Sequence, residues 1–172
     1  MKRNISVILL SIVCFVLQTT IFQKLKIANI SPNLLIVITA ASGFMGGRKA
    51  GMFAGVVNGL MVDAMYGNTI GICILIYTCI GYLNGMLNKL YFKEDMTIPM
   101  LSIAGSDLLY GLLYFVFCFL FRGRLDLIYY AGHIIMPEMI YTLITGCVIY
   151  LFMRWMEGKL NPEKEVPLEG KE

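Results

Sequence analysis

Apolar residues gather along this chain into long runs, and polar residues are mostly confined to the gaps between them. Six runs can be drawn, over residues 5–22, 32–46, 50–66, 69–90, 97–121 and 131–153. A membrane-spanning helix needs about 20 apolar residues, within a range of roughly 17–25. The pattern therefore predicts an all-α integral membrane protein, with a compact six-transmembrane-helix bundle over residues 1–156. The second and third runs are short and separated only by Gly47-Arg48-Lys49, which predicts a tight helical hairpin. Tyr66-Gly67-Asn68 carries a second turn signal. From Glu157 to Glu172 both charge signs mix with Pro162 and Pro167, the composition of a disordered cytoplasmic tail.

The third run reads AGMFAGVVNGLMVDAMY, and within it Gly51, Gly55, Gly59 and Asp63 recur every four residues. On a helix this spacing makes one ridge that drifts slowly around the surface. The glycines allow another backbone to approach closely, either within the chain or on a partner subunit. Gly81 and Gly85 form a shorter version in the fourth run, beside Asn84 and Asn88.

Composition strengthens the membrane reading. Charged residues make up 15% of the chain and hydrophobic residues 58%, against about 25% charged in soluble domains. Mean hydropathy is +0.75. The net charge is +3, but no basic stripe suits nucleic acid. If the N-terminus is cytoplasmic, only Lys24, Lys26, Arg122 and Arg124 fall outside, and the other ten lysines and arginines face the cytoplasm. The positive-inside rule then places both termini in the cytoplasm. Tyr91, Phe92, Tyr129, Tyr130 and Trp155 fall near run ends, where amphipathic rings anchor at the interface. Residues 18–20, QTT, do not form a small-residue cleavage pattern, so the first run reads as a retained helix rather than a signal peptide. No fixed-period or inverted repeat is visible, unlike transporters built from paired halves.

The polar groups inside the runs are candidates for function, because a charge at membrane depth is costly and usually faces protein or water. Asp63 fits a hydrogen-bond node, a partner contact or an interfacial carboxylate reaching the outer surface. Asn58, Asn84, Asp107, His133 and Glu138 are candidates to line one polar cavity. Pro137 predicts a loosened sixth helix with a freed carbonyl. The five cysteines lie in apolar stretches without a CxxC pair and read as small packing residues. His133 has no second ligand at metal-binding spacing. Nothing marks a cofactor. No GxSG serine, Walker loop or HExxH pair occurs, and Asp63 and Asp107 lie at different depths and lack the surroundings of a carboxylate dyad. Arg122 and Arg124 beside Asp126 form a solvated loop rather than a diphosphate site. The chain is not read as an enzyme.

One order of residues carries a family resemblance. Pro32-Asn33-Leu34-Leu35 is followed by Gly43, Gly47, GMFAGVVNGLMVDAMYGNTIG and IYTCIGYLNG. This resembles the rod shape-determining protein MreD family, at Pro32, Gly51, Gly55, Gly59, Leu60, Asp63, Gly71, Gly81, Tyr82 and Gly85. The family position after Pro32 is often acidic, and here it is Asn33. The match is specific over residues 30–90 and looser over 97–155, where Pro137-Glu138 is also family-like. The resemblance implies a non-catalytic scaffold of the wall-elongation machinery in the bacterial cytoplasmic membrane. It implies direct contact with MreC, influence on RodA and the elongation penicillin-binding protein, an indirect link to MreB, and contact with membrane lipid. It also implies an arrangement similar to the substrate-binding subunits of energy-coupling-factor vitamin transporters, which are the alternative function. Those subunits carry small residues, usually alanines, along the first helix. Here that helix reads ISVILLSIVCFVLQTT and has no alanine.

Overall fold

A computed structural model of the chain describes residues 2–24, 31–66, 71–90, 96–118 and 131–160. Six helices occupy these residues. They are α1 (Lys2–Lys24), α2 (Leu34–Gly46), α3 (Arg48–Tyr66), α4 (Ile72–Met86), α5 (Thr97–Cys118) and α6 (Met136–Leu160). A 3-10 turn, Leu87–Leu90, continues α4, and a π-helical turn, Ala131–Ile135, leads into α6. Among the described residues, three stretches are long and apolar enough to cross a membrane: Asn4–Phe22, Thr97–Phe117 and Gly132–Met156.

The helices form a ring with a filled centre. α1, α3, α4, α5 and α6 each touch the next, α6 returns to α1, and all five touch α2. α2 is buried from Leu34 to Met45. At 1.5 Å per residue it is about 20 Å long, shorter than the roughly 30 Å of a bilayer's hydrocarbon core. Its all-round apolar character follows from being enclosed on every side. The outer helices are two-faced instead. α1 buries only a seam of Val7, Ser11 and Cys14, and exposes Ile5, Leu9, Ile12, Val13 and Val16. α6 exposes Ile140, Ile144, Val148, Leu151 and Trp155 and turns Thr142, Gly146, Tyr150 and Met153 inward. Large apolar side chains facing outward all round the ring suit a lipid environment.

Local chemistry sets the helix ends, several of which differ from the hydropathy runs. α2 begins at Leu34 rather than residue 32, because Asn33 is its N-cap and accepts from the Ile36 N–H at 3.3 Å. The hairpin turn is tighter than the three residues read from the sequence. Gly47 alone turns the chain at φ +81°, a conformation that favours glycine, and Arg48 already opens α3. α4 begins at Ile72, after Gly71, and residues 69 and 70 lie outside the described residues. Pro99 is accommodated in the first turn of α5, where its missing N–H costs nothing. The π turn ends just before Pro137, where the freed carbonyl loosens the spiral. α6 continues past residue 153 and past Glu157, the expected start of the tail, to Leu160. Lys159 sits over the Trp155 ring at 4.1 Å, one turn back, and Arg154 reaches the Met96 sulfur. Gly67, Asn68, Tyr91, Phe92, residues 119–121, Arg122, Arg124, Asp126, Tyr129, Tyr130 and the tail beyond Leu160 lie outside the described residues.

The closest pairing is between α3 and α4. A Cβ built on Gly51 would strike the Gly81 carbonyl, and one on Gly81 would strike Gly51 in return. On Gly55 it would lie 2.5 Å from the Tyr77 oxygen, and on Gly59 2.5 Å from the Ile74 Cα. On Gly85 it would meet the backbone of Arg48 and Gly47. The neighbouring atoms are backbone, which cannot move aside as a side chain would. Leu60, by contrast, is 55% exposed on the outer face of α3. Gly55→Leu and Gly59→Leu are therefore expected to destabilise the protein by about 3 kcal/mol or more. Leu60→Ala should stay within about 0.5 kcal/mol of the unmodified protein. Thermal unfolding in a mild detergent measures the difference, and equal midpoints for the three variants would contradict it.

Candidate functional site

The glycine ridge ends in Asp63, which is only 2% exposed. Its Oδ2 accepts from the Gly71 N–H at 2.8 Å and the Ile74 N–H at 3.1 Å, and its Oδ1 from the Cys73 N–H at 3.1 Å. These are orphan donors at the start of α4. Gly71, the N-cap, has φ +111° and no side chain to satisfy them. Asp63 does so from the neighbouring helix, and the positive end of the α4 dipole favours its charge. Asp63 thereby links the end of α3 to the start of α4.

Asn58 and Asn84 are clasps between other helix pairs. Asn58 Nδ2 donates to the Leu35 carbonyl at 3.1 Å and to Thr39 Oγ1 at 2.8 Å, joining α3 to α2. Asn84 Nδ2 donates to Ser106 Oγ at 2.7 Å and to its own helix at the Ile80 carbonyl. The Ser102 hydroxyl donates to Asn84 Oδ1, completing a link from α4 to α5. Asn88 Nδ2 covers the Phe44 carbonyl at the end of α2, at 2.6 Å.

A further group of polar side chains lies where α2, α4, α5 and α6 meet. Asn33 Oδ1 accepts from the Tyr77 hydroxyl at 2.9 Å, while the Asn33 N–H donates to Thr142 Oγ1 at 3.0 Å. Thr142 also hydrogen-bonds the Asp107 carboxyl. Glu138 lies one turn before Thr142 on α6. The residues read as one cavity are thus distributed. Asp107 faces Thr142 of α6, Asn58 and Asn84 serve separate helix contacts, and His133 is exposed on the π turn. Among the described residues no three His, Cys, Asp or Glu side chains are grouped to hold a metal ion. Of the described cysteines, Cys14 and Cys73 are buried and Cys79 is exposed.

Several members of these networks escaped the sequence reading. Gln18 Oε1 accepts from the Leu34 N–H at 3.0 Å and fastens α1 to the start of α2. Thr39, Thr142, Ser102, Ser106 and Tyr77 are common residue types in apolar helices, and only their partners distinguish them. Asn33 did carry a signal, since an Asn directly before an apolar run is an N-cap pattern.

The tight α3–α4 contact and its carboxylate cap occupy the residues that carried the family resemblance. A family model described as rod shape-determining protein MreD matches residues 2–158, nearly the whole chain. The chain belongs to the MreD family. As an MreD-family member it is a rod-shape-determining protein of the bacterial inner membrane, and its three long apolar helices fit that setting. No curated protein and no solved structure gives a significant match.

The capping geometry makes a specific claim about Asp63. Asp63→Ala strands three N–H groups and is expected to cost about 2–3 kcal/mol. Asp63→Asn, which keeps one acceptor oxygen, should fall between Asp63→Ala and the unmodified protein. Asp126→Ala should be near neutral. Amide hydrogen exchange reads this locally. Exchange at Gly71, Cys73 and Ile74 should accelerate in Asp63→Ala, and unchanged protection at all three would rule the cap out.

Proposed function

We propose that this MreD-family chain is a non-catalytic scaffold of the wall-elongation machinery. It crosses the membrane six times, with both termini in the cytoplasm. The short helices α2, α3 and α4 complete their crossings within the ring, and the excess of lysine and arginine in the cytoplasmic segments sets the orientation. The architecture is similar to that of energy-coupling-factor substrate-binding subunits. The chain binds MreC directly, influences RodA and the elongation penicillin-binding protein through that contact, and is linked to MreB only indirectly. It uses no cofactor and performs no chemical step.

The observation that carries this reading is how the polar groups within the family-matched core are used. Asp63, Asn58, Asn84, Asn33 and Gln18 each bond a neighbouring helix, and Gly51, Gly55 and Gly59 are covered by α4. This is the economy of a rigid frame. On this proposal the glycine ridge serves helix packing, and a partner meets the outward faces of the ring. The vitamin-transporter alternative gains nothing from the fold. The outward face of α1 carries Ile5, Leu9, Ile12, Val13 and Val16 rather than small residues that would let a coupling subunit approach.

Affinity capture of the full chain from gently solubilised membranes, followed by mass spectrometry, tests the proposal. MreC, RodA and the elongation penicillin-binding protein should be recovered. Leu60→Ala should retain them, and Gly55→Leu should lose them with the fold. Recovery of a membrane coupling protein with two ATPases in their place would overturn the scaffold.

A further inference from the structure

Three cations converge on one corner of the ring, where α3 begins and α4 ends. The two helices run antiparallel, since Gly51 lies against Gly81 and Gly59 against Ile74. A Cβ on Gly85 would lie 2.4 Å from the Arg48 Cα, and one on Gly47 would lie 3.8 Å from Asn88 Oδ1. Arg48 and Lys49 open α3, and Lys89 lies one turn beyond Gly85 in the 3-10 turn. All three are exposed. The Arg48 guanidinium carbon stands 5.7 Å from the centre of the exposed Tyr82 ring on α4. The described carboxylates stand elsewhere. Asp63 caps the far end of this helix pair, Asp107 lies in the middle of α5, and Glu138 and Glu157 belong to α6. Glu94 and Asp95, between Lys89 and α5, lie outside the described residues. Next to the corner the outward surface is apolar, with Phe53 and Val56 of α3 and Leu83 and Met86 of α4 exposed.

An excess of cations at one end of the bundle is enough to orient a membrane protein. It does not require cations from two helices to meet beside an exposed aromatic ring. In a membrane this surface is covered by lipid, with acyl chains on the apolar side chains and headgroups against the cations. A zwitterionic headgroup offsets its phosphate with its own ammonium, whereas a net anionic one does not, and basic clusters at helix ends select the latter. The ring of Tyr82 holds the Arg48 guanidinium in place, and that planar fork can donate to two phosphate oxygens at once. Lys49 and Lys89 add point charges on either side of the crossing. We infer that this corner is a binding site for the headgroup of an anionic phospholipid. Arg48, Lys49 and Lys89 hold its phosphate, and its acyl chains lie along Phe53, Val56, Leu83 and Met86. The inference rests on the membrane setting, in whichever leaflet this end lies, and not on the scaffold reading.

Native mass spectrometry of the full chain in a mild non-ionic detergent tests the site. The chain is titrated separately with phosphatidylglycerol and phosphatidylcholine of the same acyl chains, and the first bound lipid is read. Phosphatidylglycerol should bind at least about tenfold more tightly. Arg48→Gln, Lys49→Gln and Lys89→Gln should each weaken its binding about fivefold and leave phosphatidylcholine unaffected. Arg48→Lys, which keeps the charge but not the fork, should fall between Arg48→Gln and the unmodified protein. Lys24→Gln, at the opposite end of α1, and Lys159→Gln, on α6 and separated from α4 by α5, should leave the preference intact. Equal affinity of the unmodified protein for the two lipids would overturn the inference, whether or not the variants fold. An equal loss in Lys24→Gln and Lys159→Gln would overturn it too, because the preference would then belong to net charge rather than to the corner. Displacement of the bound lipid by an equal concentration of glycerol phosphate would make the site one for a free anion and overturn the lipid assignment.

Discussion

Where α3 and α4 cross, Gly51 and Gly81 present their backbones to each other, and a methyl group on either would run into the other. The rest of the ring depends on this approach. Lipid tails are as apolar as leucine, so helices in a membrane gain little from burying leucines against one another, and association rests on close packing and hydrogen bonds. Glycine at Gly51, Gly55 and Gly59 maximises the first. It also brings the end of α3 near enough to the start of α4 for a short carboxylate to span the gap. Asp63 reaches three amides because the backbones are already together. The steric and polar features of this helix pair are one device.

The same logic runs around the molecule. Several buried polar side chains join a helix to a neighbour at a point where backbone groups lack partners of their own. Asn33 caps α2 and ties it to α4 and α6. Gln18 covers an orphan N–H of α2 from α1, and Asn88 covers one of its last carbonyls. α2 is thereby satisfied at both ends by residues from elsewhere in the chain. A 13-residue helix that ends inside a bilayer would otherwise expose unpaired amides and carbonyls to hydrocarbon.

Much of this could be read before the fold was known, and the reason is physical. Hydropathy reports which stretches avoid water, so the six helical segments were visible from their apolar runs. The every-four-residue glycines report a face, because helical geometry converts that spacing into adjacency. Capping decided where helices start and stop, and it depends on partners distant in sequence. The first turn of α4 is hard to read from its own residues because its cap is Asp63, on the preceding helix rather than at the N-cap position. The end of α6 was placed too early because charge and glycine after Met156 resemble a tail, although Lys159 packs on Trp155. The roles of the polar residues inside the runs are hard to read for a similar reason. Asn58, Asn84, Asp107 and Glu138 all demand partners inside apolar helices, but their identity does not reveal that three different helix contacts would supply them.

The turn at Gly47 bears on how such a ring can be built at all. With one residue between α2 and α3, the two helices form a single rigid hairpin, so neither can take up its position in the bilayer independently of the other. α2 must also end enclosed by five neighbours, two of which, α5 and α6, are synthesised well after it. The centre of the molecule is therefore made early and sheltered late. In the interval its buried face and its capped ends must be tolerated by the insertion machinery or by lipid, which sets a premium on rapid closure by the C-terminal half of the chain.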